Sequence, residues 1–396
     1  MTDLRQVAEA DVFKAGRLAA HLRRTPAGVQ FSYRRDYDGP PVASSLPLGV
    51  ELLSPGGAVP PFFAGLLPEG RRLAAVRREV KTSADDDLTL LLAVGADAIG
   101  DVVVVPAGAD PDPPRPAVEA SDWGSLRFAD LRTEAGFVDR VALPGVQEKL
   151  STGMITLPVR LGSGFAIVKL DPPDYPHAVA NEAYFLRLAR GLRLPVVDAE
   201  VVHDAEGVPG LVVRRFDREV RVDGSVVRRA VEDATQALGR YPADKYALTS
   251  EQVTDGLASL CAARLVAARA CFVQFAWAWL TGNGDLHGKN ASVLQAASGE
   301  WRIAPIYDIP STLPYGDQSM ALPLQGATRG LSRKRFLGFG AAIGLPARAA
   351  ERALDEALRA SEPLLEDLQT GALPFDANTT RTLVRRLGRR RTDLQG

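Results

Sequence analysis

The pattern that most constrains this chain lies between residues 270 and 308. An apolar run, Ala270 to Leu280, ends at Gly282-Asn283-Gly284, and Gly284-Asp285-Leu286-His287-Gly288-Lys289-Asn290 follows. Ala291 to Gln295 then reads as a strand, Ala297-Ser298-Gly299 as a turn, and Trp301 to Ile306 as the returning strand, closed by Tyr307-Asp308. A hairpin brings the residue before its first strand beside the residue after its second. Asn290 and Asp308 are therefore expected to meet at one end, near Asp285. Phosphoryl transfer asks for such a set: a carboxylate to orient or deprotonate the attacking hydroxyl, and oxygen ligands to hold Mg²⁺ across the phosphates. The bland alternative is that Asp285 and Asn290 only cap turns, as Asp and Asn do beside Gly. It leaves unexplained the apolar helix directly upstream and the second acidic site after the hairpin. His287 reads as a base or, more readily, as a structural or phosphate-contacting ring. Lys289 either neutralises a transferring phosphate or faces solvent.

A second constellation lies upstream. Phe165 to Leu170 is a hydrophobic strand carrying one cation, Lys169, and a cation there is costly unless paired. The helix beginning at Ala178 places Val179, Leu186 and Ala189 on one face by 3.6 periodicity, and Glu182 falls on that same face. Lys169 and Glu182 are expected to satisfy one another, with Lys169 also reaching the α- and β-phosphates of a nucleotide. The competing reading is a lysine snorkelling to the sheet edge and a glutamate serving as a helix N-terminal charge. Between two expected strands, Leu143-Pro144-Gly145-Val146-Gln147-Glu148-Lys149 offers backbone N–H groups and a lysine to phosphates. It has one glycine and matches neither G-x-G-x-x-G nor a Walker A sequence. Arg214-Arg215-Phe216 follows the strand Leu211-Val212-Val213, where a hinge would present backbone groups to adenine.

The organisation around these motifs fits an α+β chain of two lobes and an appendage. Residues 1–106 read as a β-rich amino-terminal unit, in which Phe62 to Gly70 leads into an Arg-rich helix, Arg71 to Val80. Residues 107–119 hold four prolines within Asp110 to Arg115-Pro116 and its neighbours, so they form a linker or exposed loop. Residues 120–245 carry short strands and one helix, Ala178 to Leu192. Residues 246–396 are predominantly helical. Hydrophobic residues make up 46% of the 396 and the formal net charge is -1, so the overall balance points to a globular chain rather than a nucleic-acid or membrane-surface protein. Arg381, Arg385, Arg386, Arg389, Arg390 and Arg391 read as a solvated helix end, with a patch for DNA or a partner as the alternative. Cys261 and Cys271 read as residues of one long helix, about 15 Å apart, too far for a disulfide. That usage suits a reducing cytoplasm. Met1 is followed by Asp3 and Arg5 rather than an apolar core, and Ala270 to Leu280 is too short to span a bilayer.

In this order and spacing the motifs resemble the HipA-type kinases, the toxin half of bacterial HipA–HipB modules. Phe62-Phe63…Leu66-Leu67-Pro68-Glu69 resembles the family's amino-terminal subdomain, Gly145-Val146-Gln147-Glu148-Lys149 its phosphate loop, and Asn181-Glu182 its lobe helix. Arg215-Phe216-Asp217-Arg218 is similar to its hinge and Glu232-Asp233…Gln236-Ala237-Leu238-Gly239 to the segment after it. Asp285 to Asn290 with Tyr307-Asp308 resembles its catalytic and metal residues. The resemblance implies a bilobal protein-kinase-like fold with an all-α C-terminal lobe and a serine/threonine protein kinase using ATP and Mg²⁺. It implies Asp285 as catalytic base, with Lys289 beside it, Asn290 and Asp308 as metal ligands, and Lys169 as the phosphate lysine. Pro144, Gly145, Val146, Gln147, Glu148, Lys149, Arg214, Arg215, Phe216, His287 and Tyr307 would line the ATP site. Family members phosphorylate proteins, in known cases an aminoacyl-tRNA synthetase, halt growth, and are held inactive by a HipB-like helix-turn-helix antitoxin through which the pair meets operator DNA. The family commonly carries a self-inhibiting serine two residues ahead of the Pro144 position. This sequence has Ala142 there, leaving control to the antitoxin or to Ser151 or Thr152.

Gly284-Asp285-Leu286-His287 with Asn290 also resembles the loop of aminoglycoside and choline kinases, so a small-molecule phosphotransferase is the enzymatic alternative. A catalytically silent corepressor of a DNA-binding antitoxin is the non-enzymatic one. The unit before residue 106 argues against the first, and the intact Lys169, Asp285, Asn290 and Asp308 against the second.

Overall fold

A computed structural model of the chain describes residues 3–111, 119–120, 122–134, 154–161 and 164–395. Alternation of apolar side chains builds the first unit. Ala10 and Val12 of β1 (Glu9–Lys14), Ala20 and Leu22 of β2 (Arg17–Thr25) and Phe31 of β3 (Gly28–Tyr33) share one face. Leu22 stands opposite both Ala10 and Phe31, and all five are fully buried. With β4 (Glu51–Pro55) and β5 (Val102–Pro106) these strands form an antiparallel sheet of order β4-β3-β2-β1-β5. Phe62 and Phe63, with Leu88 and Leu91 of the helix Asp87–Val94, cover it and complete a core of its own.

The second unit is a sheet of order β6-β7-β8-β10-β9, from Glu119–Ala120, Ile155–Leu161, Gly164–Leu170, Pro209–Arg214 and Ala199–His203. Period-2 alternation divides β8 between two environments. Ala166, Val168 and Leu170 face a small core with Phe128 and Leu131. Ile167 and Lys169 turn the other way, toward the helix Ala178–Ala189. Beyond Asp217 come a small ribbon, Arg218–Val220 with Val226–Arg228, and then β13 (Val231–Asp233). β13 pairs with β14 (Ser292–Gln295), which pairs with β15 (Trp301–Ile303). The mainly helical C-terminal part therefore carries a three-stranded sheet, and the expected hairpin is its second and third strands.

The helix Arg264–Thr281 runs through the largest core, with every residue from Ala270 to Thr281 buried. An apolar run of this length is thus a core helix. Among the described residues no helix is long and apolar enough to cross a membrane. The chain breaks before this helix: Ser250–Leu260 ends at Cys261, whose backbone is extended, and the next helix starts at Arg264. Cys261 and Cys271 lie on two packed helices, rather than on the single one expected, because the Thr249–Gln252 capping box starts a separate helix whose end Cys261 marks.

The arginine-rich C-terminal helix, Ala377–Gln395, is also more than a solvated end. Arg390 and Arg391 are buried. Arg390 donates to the carbonyls of Trp279 and Gln318 and stacks 3.9 Å from the Trp279 ring. Arg391 donates to Leu358 O and Ser361. Their place near a helix C-terminus suggested solvent, but the carbonyls of Trp279, Gln318 and Leu358 in other parts of the helical half give them partners. Arg390→Met is expected to destabilise the fold by about 2–4 kcal/mol, since two carbonyls lose a charged donor and the indole its cation. Urea melts followed by circular dichroism check this.

Candidate functional site

Lys169 is the centre of the site. Its Nζ lies 2.7 and 2.9 Å from the two Glu182 oxygens and 2.8 Å from Asp308 Oδ1. Lys169 and Glu182 are both buried. Burial opposes the charged amine, and the two carboxylates override it, holding Lys169 above its ordinary pKa. Burial pushes Glu182 upward against the pull of Lys169, while Lys169 holds Asp308 below the usual carboxylate range against the same burial. Helix periodicity supplies Glu182, strand alternation Lys169 and the hairpin Asp308. Asp308 itself sits at φ 54°, in the left-handed region. Asp tolerates that region better than most residues, and the turn aims its carboxylate at Lys169.

Asp285 is placed by the end of the long helix. Gly282 closes that helix at φ 72°, and a Cβ there would lie 2.4 Å from Leu313 Cδ1. Gly284 donates to Thr312 Oγ1, and its Cβ would come within 2.6 Å of Ser319 O. Both glycines are required by the packing. Asn283 Oδ1 accepts from the Asp285 N–H, and Asn290 Nδ2 donates to the Asp285 carbonyl at 2.9 Å. The loop is thereby closed on itself, and the Asn290 amide oxygen is left as an oxygen ligand. Tyr307 donates to the Lys289 carbonyl, tying the end of the hairpin back to its beginning. Asp285 is only 1% exposed, and Tyr246 donates to its Oδ1 at 3.0 Å.

His287 Nδ1 accepts from the Lys289 N–H, so Nε2 carries the ring proton. That nitrogen lies 4.0 Å from Asp285 Oδ1 and is buried without a hydrogen-bond partner among the described residues. Burial, then the charge of Lys245, lowers the His287 pKa to about 3. A ring neutral at working pH is a poor proton acceptor when its proton already sits on the inward nitrogen, and it is poised to donate. Lys289 takes neither of its expected positions. Its Nζ donates to Gly65 O at 2.7 Å and lies 3.6 Å from Asp233.

A cavity of about 360 Å³ opens beside Lys169, walled by Ile167, Val213, Phe216, Tyr307 and Asp308, and on the far side by Leu66, Leu67 and Arg72 of the amino-terminal unit. The Phe216 and Tyr307 rings lie 5.7 Å apart at 33°. The N–H groups of Arg214 and Arg215 are already spent on Asp198 O and Phe165 O. Phe216 N–H has no backbone acceptor among the described residues, and Phe216 borders the cavity. The Arg215 guanidinium is taken up by Asp97, Asp217 and Ala98 O at the cavity wall. Pro144, Gly145, Val146, Gln147, Glu148 and Lys149 lie outside the described residues, as do Ala142, Ser151 and Thr152. Residues that the sequence did not single out are Tyr246, Lys245 and Arg72.

The donor set fits a nucleotide with Mg²⁺. Among the described residues no three His, Cys, Asp or Glu gather as a transition-metal site would require. One carboxylate and one amide oxygen instead suit a hard ion that keeps phosphate and water ligands.

Residues 141–364 match the model of the HipA-like C-terminal domain, and residues 10–105 that of the HipA N-terminal domain. The protein Y4mE of Sinorhizobium fredii, which bears a provisional kinase name, is 32% identical over 345 residues, 80% of each chain. The serine/threonine-protein kinase toxin HipA of Shewanella oneidensis is 28% identical over 376 residues, 85% of each chain. The fold matches that of a solved Shewanella oneidensis MR-1 complex of HipA, HipB and operator DNA, with TM-score 0.80 and 23% identity over 98% of this chain and 97% of that one.

The buried ring of His287 has a consequence for acid stability. Its folded pKa is about 3 against an ordinary 6.5, so in that window the unfolded chain binds a proton that the folded chain refuses. Stability contributed by the neutral ring is complete above 6.5 and falls as pH drops, by up to about 1.4 kcal/mol per unit. Urea melts between pH 7 and 5 are expected to show this slope, and His287→Gln to flatten it.

Proposed function

The chain belongs to the HipA family, and from that premise we propose that it is an ATP- and Mg²⁺-dependent serine/threonine protein kinase acting as a growth-arresting toxin. The observation that carries the reading is the Lys169 amine bridging Glu182 and Asp308 at the wall of the cavity. A buried lysine paired with a helix glutamate and reaching an aspartate at a cavity wall is the arrangement that kinase phosphoryl-transfer sites use. In this reading adenine lies against Phe216, with its hinge N–H as donor, and Tyr307. Lys169 takes the α- and β-phosphates. Asn290 and Asp308 would hold Mg²⁺, which would supply charge neutralisation to the phosphates. Asp285 orients the acceptor hydroxyl and takes its proton as the oxygen–γ-phosphorus bond forms and the bond to ADP breaks. Lys289 acts by holding the catalytic loop to the amino-terminal unit. That unit, joined to the loop through Gly65 O, is what a small-molecule phosphotransferase would not need.

The partner in this reading is a HipB-like helix-turn-helix antitoxin, through which the complex reaches operator DNA. The HipA–HipB–DNA assembly of the structural neighbour supports it. The acceptor is a serine or threonine of a cytoplasmic protein, with an aminoacyl-tRNA synthetase as the first candidate.

Purified protein with Mg²⁺ and labelled ATP is expected to label a component of cell lysate. Asp285→Asn and Asp308→Asn are expected to lower labelling by about 100-fold or more. Full labelling by Asp285→Asn would remove the base from its assigned role. Expression alone is expected to arrest growth and co-expression with the antitoxin to relieve it, and normal growth with active enzyme would overturn the toxin role.

A further inference from the structure

Tyr246 has no place in the kinase reading, yet its hydroxyl donates to Asp285 at 3.0 Å. It closes a five-residue 3₁₀ turn, Pro242–Tyr246, and the turn is fastened from several sides. The Lys245 carbonyl accepts from the Gly288 N–H of the catalytic loop. The Tyr246 ring stands edge-on to His287, with centroids 4.9 Å apart at 82°. Lys245 Nζ lies 5.2 Å from the same ring and 2.6 Å from Glu69 Oε2. Glu69 belongs to the amino-terminal unit, where it caps the helix Gly70–Val80. A continuous path therefore runs from that unit through Glu69, Lys245 and Tyr246 to Asp285.

We infer that Tyr246 is a positioning residue for Asp285, and that the amino-terminal unit sets its position through the Glu69–Lys245 ion pair. The physical need is plain. A base that orients an acceptor hydroxyl must hold its carboxylate to within about half an ångström, and the backbone contacts of the loop fix only the Asp285 main chain. The phenol holds one carboxylate oxygen, Oδ1, from a different element of the fold. Burial and the Asp285 charge both raise the phenol pKa, so it remains a donor at neutral pH. Lys245 is itself buried, which makes its pairing with Glu69 much stronger than a surface contact.

This inference rests on the kinase reading, and Asp285→Asn serves as the reference that separates the two. Tyr246→Phe keeps the ring and removes the donor. It is expected to lower kcat for protein phosphorylation by about tenfold or more, with the KM for ATP and the melting temperature unchanged. Glu69→Gln is expected to lower kcat less. The double variant is expected to fall no further than Tyr246→Phe alone, because both changes break one path. Lys245→Met offers a second break in that path should Tyr246→Phe fold poorly, and it is expected to lower kcat in the same manner. An unchanged kcat in Tyr246→Phe would make the contact mere packing. A raised kcat would make the phenol a plug on the acceptor position, and multiplied losses in the double variant would sever Glu69 from Asp285. Each of these overturns the inference. Full activity in Asp285→Asn would instead overturn the kinase reading beneath it.

Discussion

A single amine, Lys169 Nζ, holds together the parts on which this architecture depends. It joins the sheet of the second unit to the helix bearing Glu182 and to Asp308 beyond the hairpin of the helical half. Such a cluster is expensive in isolation, and removing one partner of a buried pair typically costs about 3–5 kcal/mol because the other charge is stranded. Its presence at the wall of a cavity is easier to understand as preparation for a polyanion than as a source of stability. With one cation shared by two carboxylates, the formal charge of the cluster is negative by one, which in the proposed reading leaves charge for a divalent cation brought in with the nucleotide.

The amino-terminal unit is the less obvious half of the design. It has its own core, yet it is bonded to both lobes around the site. Asp97 meets Arg215 and Arg218 behind the hinge, Ser44 donates its N–H and hydroxyl to Glu232, and Gln236 and Lys289 reach the carbonyls of Phe62 and Gly65. Arg71 pairs with Asp174 near the start of the lobe helix. A third body bonded to both lobes also supplies one wall of the cavity.

Much of the site was legible because it rests on short periodicities. Lys169 and Glu182 were matched by strand alternation and a helical face, whereas the hairpin was read as bringing Asp308 to Asn290 and Asp285, and its ion pair with Lys169 was not anticipated. Lys289 and Arg390 were read less well, because their partners are main-chain carbonyls of distant elements, and sequence does not record where a carbonyl will be left open. The Arg215 side chain is a similar case, spoken for by Asp97 from a unit more than a hundred residues earlier. Tyr246 gave no signal at all, since a five-residue 3₁₀ turn has no apolar period and its target lies in another element. The Glu69–Lys245 pair has the same origin: neither residue stands on a patterned face, and only the tertiary arrangement joins them.

The join between the amino-terminal unit and the kinase lobes is chemically one-sided in places. Lys289, Gln236, Arg215, Arg218 and Arg228 offer side-chain donors, and the acceptors are the backbone oxygens of Gly65, Phe62, Ala98, Gly100 and Ala96. A peptide oxygen survives almost any amino-acid exchange at its own residue, whereas a lysine or arginine head group does not. Ala96 and Ala98 can therefore change side chain without losing the acceptor, whereas a Cβ at Gly65 would lie 2.6 Å from Gln236 Cγ and Gly100 stands at φ 90°; the donors on the lobes cannot change without losing the bond. Evolutionary freedom is unequal across the seam: a foreign amino-terminal unit would inherit the backbone sockets, but it would have to supply its own counterparts of Ser44, Glu69, Arg71 and Asp97, which hold the joint by their side chains.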